Sequence, residues 1–196
     1  MHRNMPKFAF FIILALVAAA STGCSGRVKE PSDVEVASAL NFSGGEVPFQ
    51  QLGTFSTKLN ATTGGRVNNI KKASETINMK VVQPGEEFSY NTTVGPTTQK
   101  NGYQLADIIV KGKREKGYGG GVCQVSSTLY NAAANAGMTI TERHDHSAPV
   151  PYVAAGKEAA TSYGGKDLKF INSKPFPVVI QSRVHDGDIT VSVCAA

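Results

Sequence analysis

Three consecutive glycines, at positions 119–121, stand directly before a helix-forming run that ends at Gly137. Glycine adopts backbone conformations that other residues avoid, so the triplet predicts a sharp turn that a substrate can approach closely. The run up to Ala136 predicts a helix, and Gly137 is suited to its C-terminal end. Cys123 therefore lies in the first turn, where free amides and the helix dipole favour the reactive thiolate.

The predicted helix has an apolar stripe and an opposite, more polar face. At about 100° per residue the stripe consists of Val125, Leu129, Ala132 and Ala136. Cys123 lies on the other face, close to Ser127 and Tyr130. A cysteine that only packs in the core would more often share the stripe, so the spacing favours a thiol that faces a cleft. The alternative is an inert or disulfide-bonded Cys123, because Cys194 is available as a partner.

A cysteine nucleophile needs a base, and two candidates follow downstream. His144 and His146 lie in the segment of residues 142–147 and point the same way if that segment is extended. A His-x-His pair on a strand is also compatible with zinc, but no HExxH or paired CxxC motif accompanies it, so no metal or other cofactor is predicted. Arg143, directly before His144, is a candidate for holding a substrate carboxylate by a two-pronged contact, or it pairs with a neighbouring acid.

The remaining chain predicts an α+β fold. Apolar residues at spacings of three and four predict a helix from Gly65 that ends before Pro84. Residues 91–101 read as a turn-rich loop, and residues 104–110 as either a helix or a strand. Further strands are predicted at residues 88–90, 139–143, 168–171, 178–181 and 189–193. Helices first and antiparallel strands last predict a central helix, headed by Cys123, on a mostly antiparallel C-terminal sheet.

The N-terminus has the layout of a bacterial secretory signal. Arg3 and Lys7 precede a 13-residue apolar stretch, and Cys24 then follows small residues as in a lipobox. Ser21 stands where a lipobox usually has leucine, and cleavage by an ordinary signal peptidase after Ala20 is the alternative. We expect a lipoprotein-type signal at residues 1–23, a tether at 24–50 that can end in a short edge strand near residues 47–49, and one domain at 51–196. The protein would then work outside the cytoplasm, anchored to the membrane by lipid on Cys24.

Composition excludes several classes of protein. Of the 196 residues, 20 are basic and 15 acidic, and removal of residues 1–23 lowers the net charge from +5 to +3. This mild excess contains no basic run, so a nucleic-acid partner is not predicted. No apolar segment reaches the roughly 18 to 20 residues that are needed to span a bilayer.

These motifs, with others, resemble the VanW family, which is named for an accessory protein of vancomycin-resistance clusters. The likeness covers residues 52–194, and its central signature is residues 119–131. Flanking matches in chain order include Leu52-Gly53-Thr54-Phe55-Ser56-Thr57, Arg66 with Asn69-Ile70, Pro84-Gly85-Glu86-Glu87-Phe88-Ser89-Tyr90-Asn91, Gly102-Tyr103, Glu142-Arg143, His146-Ser147, Tyr152-Val153, Tyr163-Gly164 and Asp167-Leu168-Lys169-Phe170. Relatives commonly have large additional N-terminal regions. For this chain we expect a minimal, tethered version of the domain without them.

The resemblance implies work at the cell wall, since some VanW domains are regarded as L,D-transpeptidases. Cys123 matches the signature cysteine, and His146 matches the family histidine better than His144. The expected function is therefore a cysteine-dependent L,D-transpeptidase or L,D-carboxypeptidase acting on peptidoglycan stem peptides through a thioester. The alternative is a non-catalytic wall-binding module with a structural Cys123. The expected substrate-binding residues are Ser127, Tyr130, Arg143, Gly120, Gly121 and Gln124.

An acid is also expected to orient the histidine, and the candidates are Asp167 and Glu158. The family pattern Gly-x-Asp-Ala-Thr-Val has glutamate at the acidic position here, Glu158. The longer side chain places its role in question.

Overall fold

The computed structural model describes residues 49–59, 64–110 and 112–196. The predicted signal peptide, Cys24 and residues 25–48 of the tether lie outside the described residues. Phe49 has no regular secondary structure, and residues 47 and 48 of the expected edge strand are outside the described ranges. Within those ranges no helix is long and apolar enough to cross a membrane.

The described residues form three helices and nine strands. The helices are α1 (Gly65–Ile77), α2 (Tyr90–Val94) and α3 (Val122–Asn135). The strands are β1 (Gln51–Lys58), β2 (Lys80–Val82), β3 (Glu87–Ser89), β4 (Leu105–Val110), β5 (Lys113–Tyr118), β6 (Thr139–Glu142), β7 (Lys169–Ile171), β8 (Val178–His185) and β9 (Asp188–Ala195).

All strand pairs are antiparallel. The largest sheet has the order β1-β9-β8-β2, so its two central strands are the last two of the chain. A second sheet has the order β3-β7-β6, and β4 with β5 forms a separate hairpin. The α+β fold with an antiparallel C-terminal sheet is confirmed.

Helix α3 packs on β1 and β9, and its predicted apolar stripe is buried in the core. Gly53 of β1 is required by this packing, because a Cβ atom there would collide with the backbone of Ala132 and Ala136. Gly137 ends the helix with a φ of 73°, the left-handed conformation that glycine adopts without strain. The helix that carries Cys123 is therefore held directly against the central sheet.

Four local predictions differ from the structure. Helix α1 ends at Ile77 because Asn78 is extended, and the amide of Met79 instead donates to the carbonyl of Ile180 in β8. Residues 80–82 consequently form β2, and Val81 is exposed. The predicted strand through residue 90 stops at Ser89, whose side chain caps α2 inside the predicted loop. Strands β1 and β5 are absent from the prediction.

Candidate functional site

One cleft, with a volume of about 660 Å³, lies at the N-terminal end of α3. The glycine turn and Cys123 form part of its lining. Further lining comes from Arg66 of α1, from α2 and the segment after it, from the β4–β5 hairpin, from His146 and residues 150–152, and from residues 161–163. The cleft is therefore assembled from parts of the chain that are far apart in sequence.

The glycine turn brings the backbone into positions that side chains would block. Gly119 and Gly121 have φ values of 83° and 107°, and a Cβ atom on Gly120 would lie 2.5 Å from the carbonyl oxygen of Asp107. The amides of Val122 and Gln124 donate to the carbonyls of Gly119 and Gly121 within the turn. No acceptor for the Cys123 amide is present among the described residues, so this N–H is available at the cleft.

The segment of residues 157–161 runs along the polar face of α3. Asn131 donates to the carbonyl of Lys157 at 2.7 Å, Ser127 accepts from the amide of Ala159 at 2.9 Å, and the amide of Thr161 donates to Cys123 Sγ at 3.5 Å. Four helical residues rise about 6 Å, and two extended residues span about 6.6 Å. Because these two distances nearly match, every second residue of the segment can contact every fourth residue of the helix, from Asn131 to Cys123.

His146 lies in the same cleft as Cys123. Burial lowers the pKa of His146 below its ordinary value, an effect that Glu158 opposes and Lys166 reinforces. The ring is therefore neutral at neutral pH, the form that accepts a proton. His146 Nδ1 and Glu158 Oε2 are both buried without a hydrogen-bond partner, and the charge of Glu158 acts to raise the pKa of the histidine.

His144 is used elsewhere. Its Nε2 lies 2.9 Å from Glu142 Oε1, and its carbonyl accepts from the amide of Ala160 at 2.8 Å. His144, the neighbouring Lys169 and the amide of Asp167 hold the pKa of Glu142 down at about 2. His146 lines the cleft and His144 does not.

Three of the expected substrate-binding side chains lie outside the cleft lining. Arg143 is committed to an ion pair with Asp145 at 2.6 Å and to the carbonyl of Glu158 at 2.7 Å, and its guanidinium stacks over the Tyr130 ring. Ser127 is completely buried and bonded to Cys123 and Ala159. All three instead contact α3 or the segment beside it, and their role in substrate binding stays a prediction.

Of the other expected site residues, some line the cleft and one does not. Gly120 and Gly121 line the cleft, as does Gln124. Asp167 does not, because its carboxylate accepts from Ser89 Oγ and from the amide of Asn91 and so positions the start of α2. Of the two candidate acids, Glu158 is therefore the one whose charge acts on His146.

Sequence reasoning gave no role to Arg66, Tyr152 and Thr161, which all line the cleft. Arg66 Nη2 donates to Gln124 Oε1 at 2.9 Å, and its guanidinium lies 5.9 Å from the centre of the Tyr152 ring. The Tyr152 hydroxyl lies 3.5 Å from His146 Nε2, and burial raises the pKa of this tyrosine so that it stays protonated. Arg66 and Tyr152 both belong to the matched motifs, but no spacing rule connects them to Cys123.

The two cysteines of the described region lie apart and are both free thiols. Cys194 is buried in β9, with its Sγ 3.6 Å from Gln181 Oε1. In this part of the chain no group of three His, Cys, Asp or Glu side chains is arranged to hold a metal ion.

Comparison with known proteins agrees with the family expectation. The family model described as "VanW like protein" matches residues 65–194, so the chain belongs to the VanW family. It is 42% identical over 147 residues to the uncharacterized protein YoaR of Bacillus subtilis, which covers 75% of this chain and 48% of YoaR. It is 31% identical over 135 residues to the vancomycin B-type resistance protein VanW of Enterococcus faecalis, covering 66% of this chain and 49% of that protein. The chain thus spans about half the length of both relatives. No solved structure matches it.

Proposed function

We propose that this protein is a cysteine-dependent acyl transferase of the bacterial cell envelope, acting on peptidoglycan stem peptides as an L,D-transpeptidase or L,D-carboxypeptidase. The observation that carries the proposal is that Cys123 and His146 line one cleft from two separate segments. A thiol and a neutral imidazole are the groups that nucleophilic catalysis by cysteine requires, and a third group commonly orients the imidazole. Similarity to a vancomycin B-type resistance protein supports a role at the cell wall.

In the proposed reaction, His146 accepts the thiol proton and Cys123 Sγ attacks the carbonyl between the third, diamino acid residue and the terminal D-alanine. The carbon–nitrogen bond breaks, the imidazolium returns the proton to the leaving amine, and a thioester remains. The side-chain amine of a second stem peptide then displaces the thiol and forms a cross-link, or water displaces it and the peptide is trimmed. Both outcomes regenerate Cys123 and neutral His146.

Two further groups fit this chemistry. The amide of Cys123, which has no acceptor among the described residues, is the candidate donor to the oxyanion that forms during attack. Glu158 is the candidate acid that orients His146, because a bond between Nδ1 and Oε2 would satisfy two buried atoms that now lack partners. The envelope location rests on the predicted signal and lipid attachment at Cys24.

A non-catalytic wall-binding module is the second candidate, and one observation favours it. Cys123 Sγ already lies 3.4 Å from the carbonyl of Thr161 and 3.5 Å from its amide, contacts that a structural thiol would make. Thiol labelling separates the candidates, because a nucleophile reacts with an alkylating agent near neutral pH and a packed structural thiol does not.

The decisive experiment is mass spectrometry of muropeptides after incubation of the full chain with peptidoglycan. We expect new cross-links at the diamino acid, or loss of terminal D-alanine, with the wild-type protein and with Cys194→Ala. Cys123→Ala should give neither product. Unchanged muropeptides with a folded wild-type protein would contradict the enzymatic proposal.

A further inference from the structure

Arg66 is a cleft-lining cation that forms no ion pair with the described residues, although its charge adds to the effect of Lys116 in lowering the pKa of Asp107. Its guanidinium is half-buried, and one of its five N–H groups is taken by the neutral Gln124 amide. It takes part in none of the ion pairs that the described residues form. Asp107 also lines the cleft, but it pairs with Lys116 at 2.6 Å.

Its position is built into the site. Gln124 Nε2 donates to Thr57 Oγ1 and to the carbonyl of Lys58, so the amide oxygen is held toward Arg66. A Cβ atom on Gly121 would lie 3.0 Å from Arg66 Cγ, which shows that the arginine stem packs on the glycine turn. The Tyr152 ring lies beside the guanidinium. The charge is therefore fixed next to the residue that follows Cys123.

An unpaired guanidinium at this place is suited to an anion, and planar carboxylates are the anions that arginine binds by two parallel hydrogen bonds. In a peptide cleaved at its last bond, the terminal carboxylate lies one residue beyond the attacked carbonyl, within about 4 Å of it. Arg143, the arginine first expected to hold such a group, is already paired with Asp145.

We propose that Arg66 binds the free terminal carboxylate of the substrate residue that leaves, so that the cleft selects acyl donors which end immediately after the scissile bond. This inference rests on the proposed function for the identity of the reaction, but the carboxylate site itself does not require turnover. It makes Arg66 a specificity-determining residue, and it predicts that amidated or extended peptide ends are poor donors.

The first test compares two alkylating agents that differ in charge. Iodoacetate carries a carboxylate and iodoacetamide does not, and the rate at Cys123 is measured by peptide mass spectrometry. Arg66→Gln should lower the iodoacetate-to-iodoacetamide rate ratio about tenfold, with Arg66→Lys intermediate. Arg114→Gln removes the same charge from an exposed cleft position and should change the ratio less than threefold. Equal effects of the two glutamine variants, or no effect of Arg66→Gln, would overturn the inference.

The second test measures peptide binding without a chemical step. It tests the carboxylate site even if neither reagent alkylates Cys123. Calorimetry on Cys123→Ala compares a stem tetrapeptide ending in D-alanine with its D-alaninamide counterpart. We expect at least tenfold tighter binding of the carboxylate form, and loss of that preference when Arg66→Gln is added. Equal binding of the two peptides, or binding of neither, would overturn the carboxylate site. If Cys123→Ala prefers the carboxylate form and Arg66→Gln removes that preference, while the wild-type protein leaves muropeptides unchanged, only the proposed reaction is contradicted.

Discussion

The backbone amide of Thr161 donates to Cys123 Sγ at 3.5 Å, which joins the head of α3 to a segment with no regular secondary structure. The same segment contacts Ser127 and Asn131 further along the helix. On its other edge, the amide of Ala160 donates to the carbonyl of His144. The thiol and the histidine-bearing region are thus positioned by one stretch of backbone.

Removing the thiol should abolish activity at little cost in stability. Cys123 is only half-buried, so Cys123→Ala should lower the free energy of unfolding by less than about 1 kcal/mol. Cys194 is 2% exposed within β9, and Cys194→Ala should cost more, about 1 to 2 kcal/mol, while retaining activity. Chemical denaturation and muropeptide analysis of both variants check this. A larger destabilisation by Cys123→Ala would identify a structural thiol.

Replacing each histidine in turn distinguishes the catalytic base from the histidine that only stabilises the surrounding structure. We expect His146→Ala to lower the rate by about 10² to 10⁴, the contribution of a positioned acid–base group. His144→Ala should stay within tenfold of the wild type, because it lies outside the cleft and pairs with Glu142. Steady-state rates on a stem peptide measure both effects. A greater loss with His144→Ala would mean that the wrong histidine has been chosen.

The pH dependence should follow the charges around His146. Its pKa lies below the ordinary 6.5 because burial disfavours the imidazolium, so the neutral base persists at lower pH and activity falls only as pH drops through that lowered pKa. Lys166 lowers this pKa and Glu158 raises it. Lys166→Met should therefore move the acidic limb of kcat/KM to higher pH, and Glu158→Gln should move it lower. NMR titration of the ring provides the direct measurement, and shifts of the same sign would disprove the arrangement.

Ser127 should matter for stability rather than for substrate affinity. Ser127→Ala leaves the buried amide of Ala159 without an acceptor, which should cost about 1 to 3 kcal/mol. Tyr130→Phe keeps the ring beneath Arg143 and should be nearly neutral. Thermal unfolding compares the two, with KM measured alongside. A raised KM for Ser127→Ala at unchanged Tm would restore its earlier expected role in substrate binding.

The elements that local rules describe were predictable from the sequence. The glycine triplet, the apolar stripe of α3 and the Gly137 terminus depend on nearest neighbours, and the structure contains all three. Strand β1 was missed because its partner, β9, lies at the far end of the chain. Short alternations without a nearby turn carry no signal for such a pairing.

The contents of the cleft depended even more on distant contacts. Arg143 is close to both candidate histidines in the sequence, and yet its guanidinium forms an ion pair with Asp145. Arg66 precedes Cys123 by more than fifty residues and reaches the cleft because α1 packs against α3. Proximity along the chain favoured Arg143 as the carboxylate-binding arginine, since it does not report which charges remain unpaired after folding.

Residues 157–161 form contacts on both edges, and this restricts where the length of the chain can change. Alternate residues of an extended segment face opposite sides, so a one-residue deletion would turn Glu158 away from His146 and bring a different amide to Cys123. Insertions among residues 153–156, which follow the cleft-lining Tyr152, would leave both contacts intact. Length variation among natural or engineered forms of this domain should therefore be confined to that loop, and absent from the five residues that follow it.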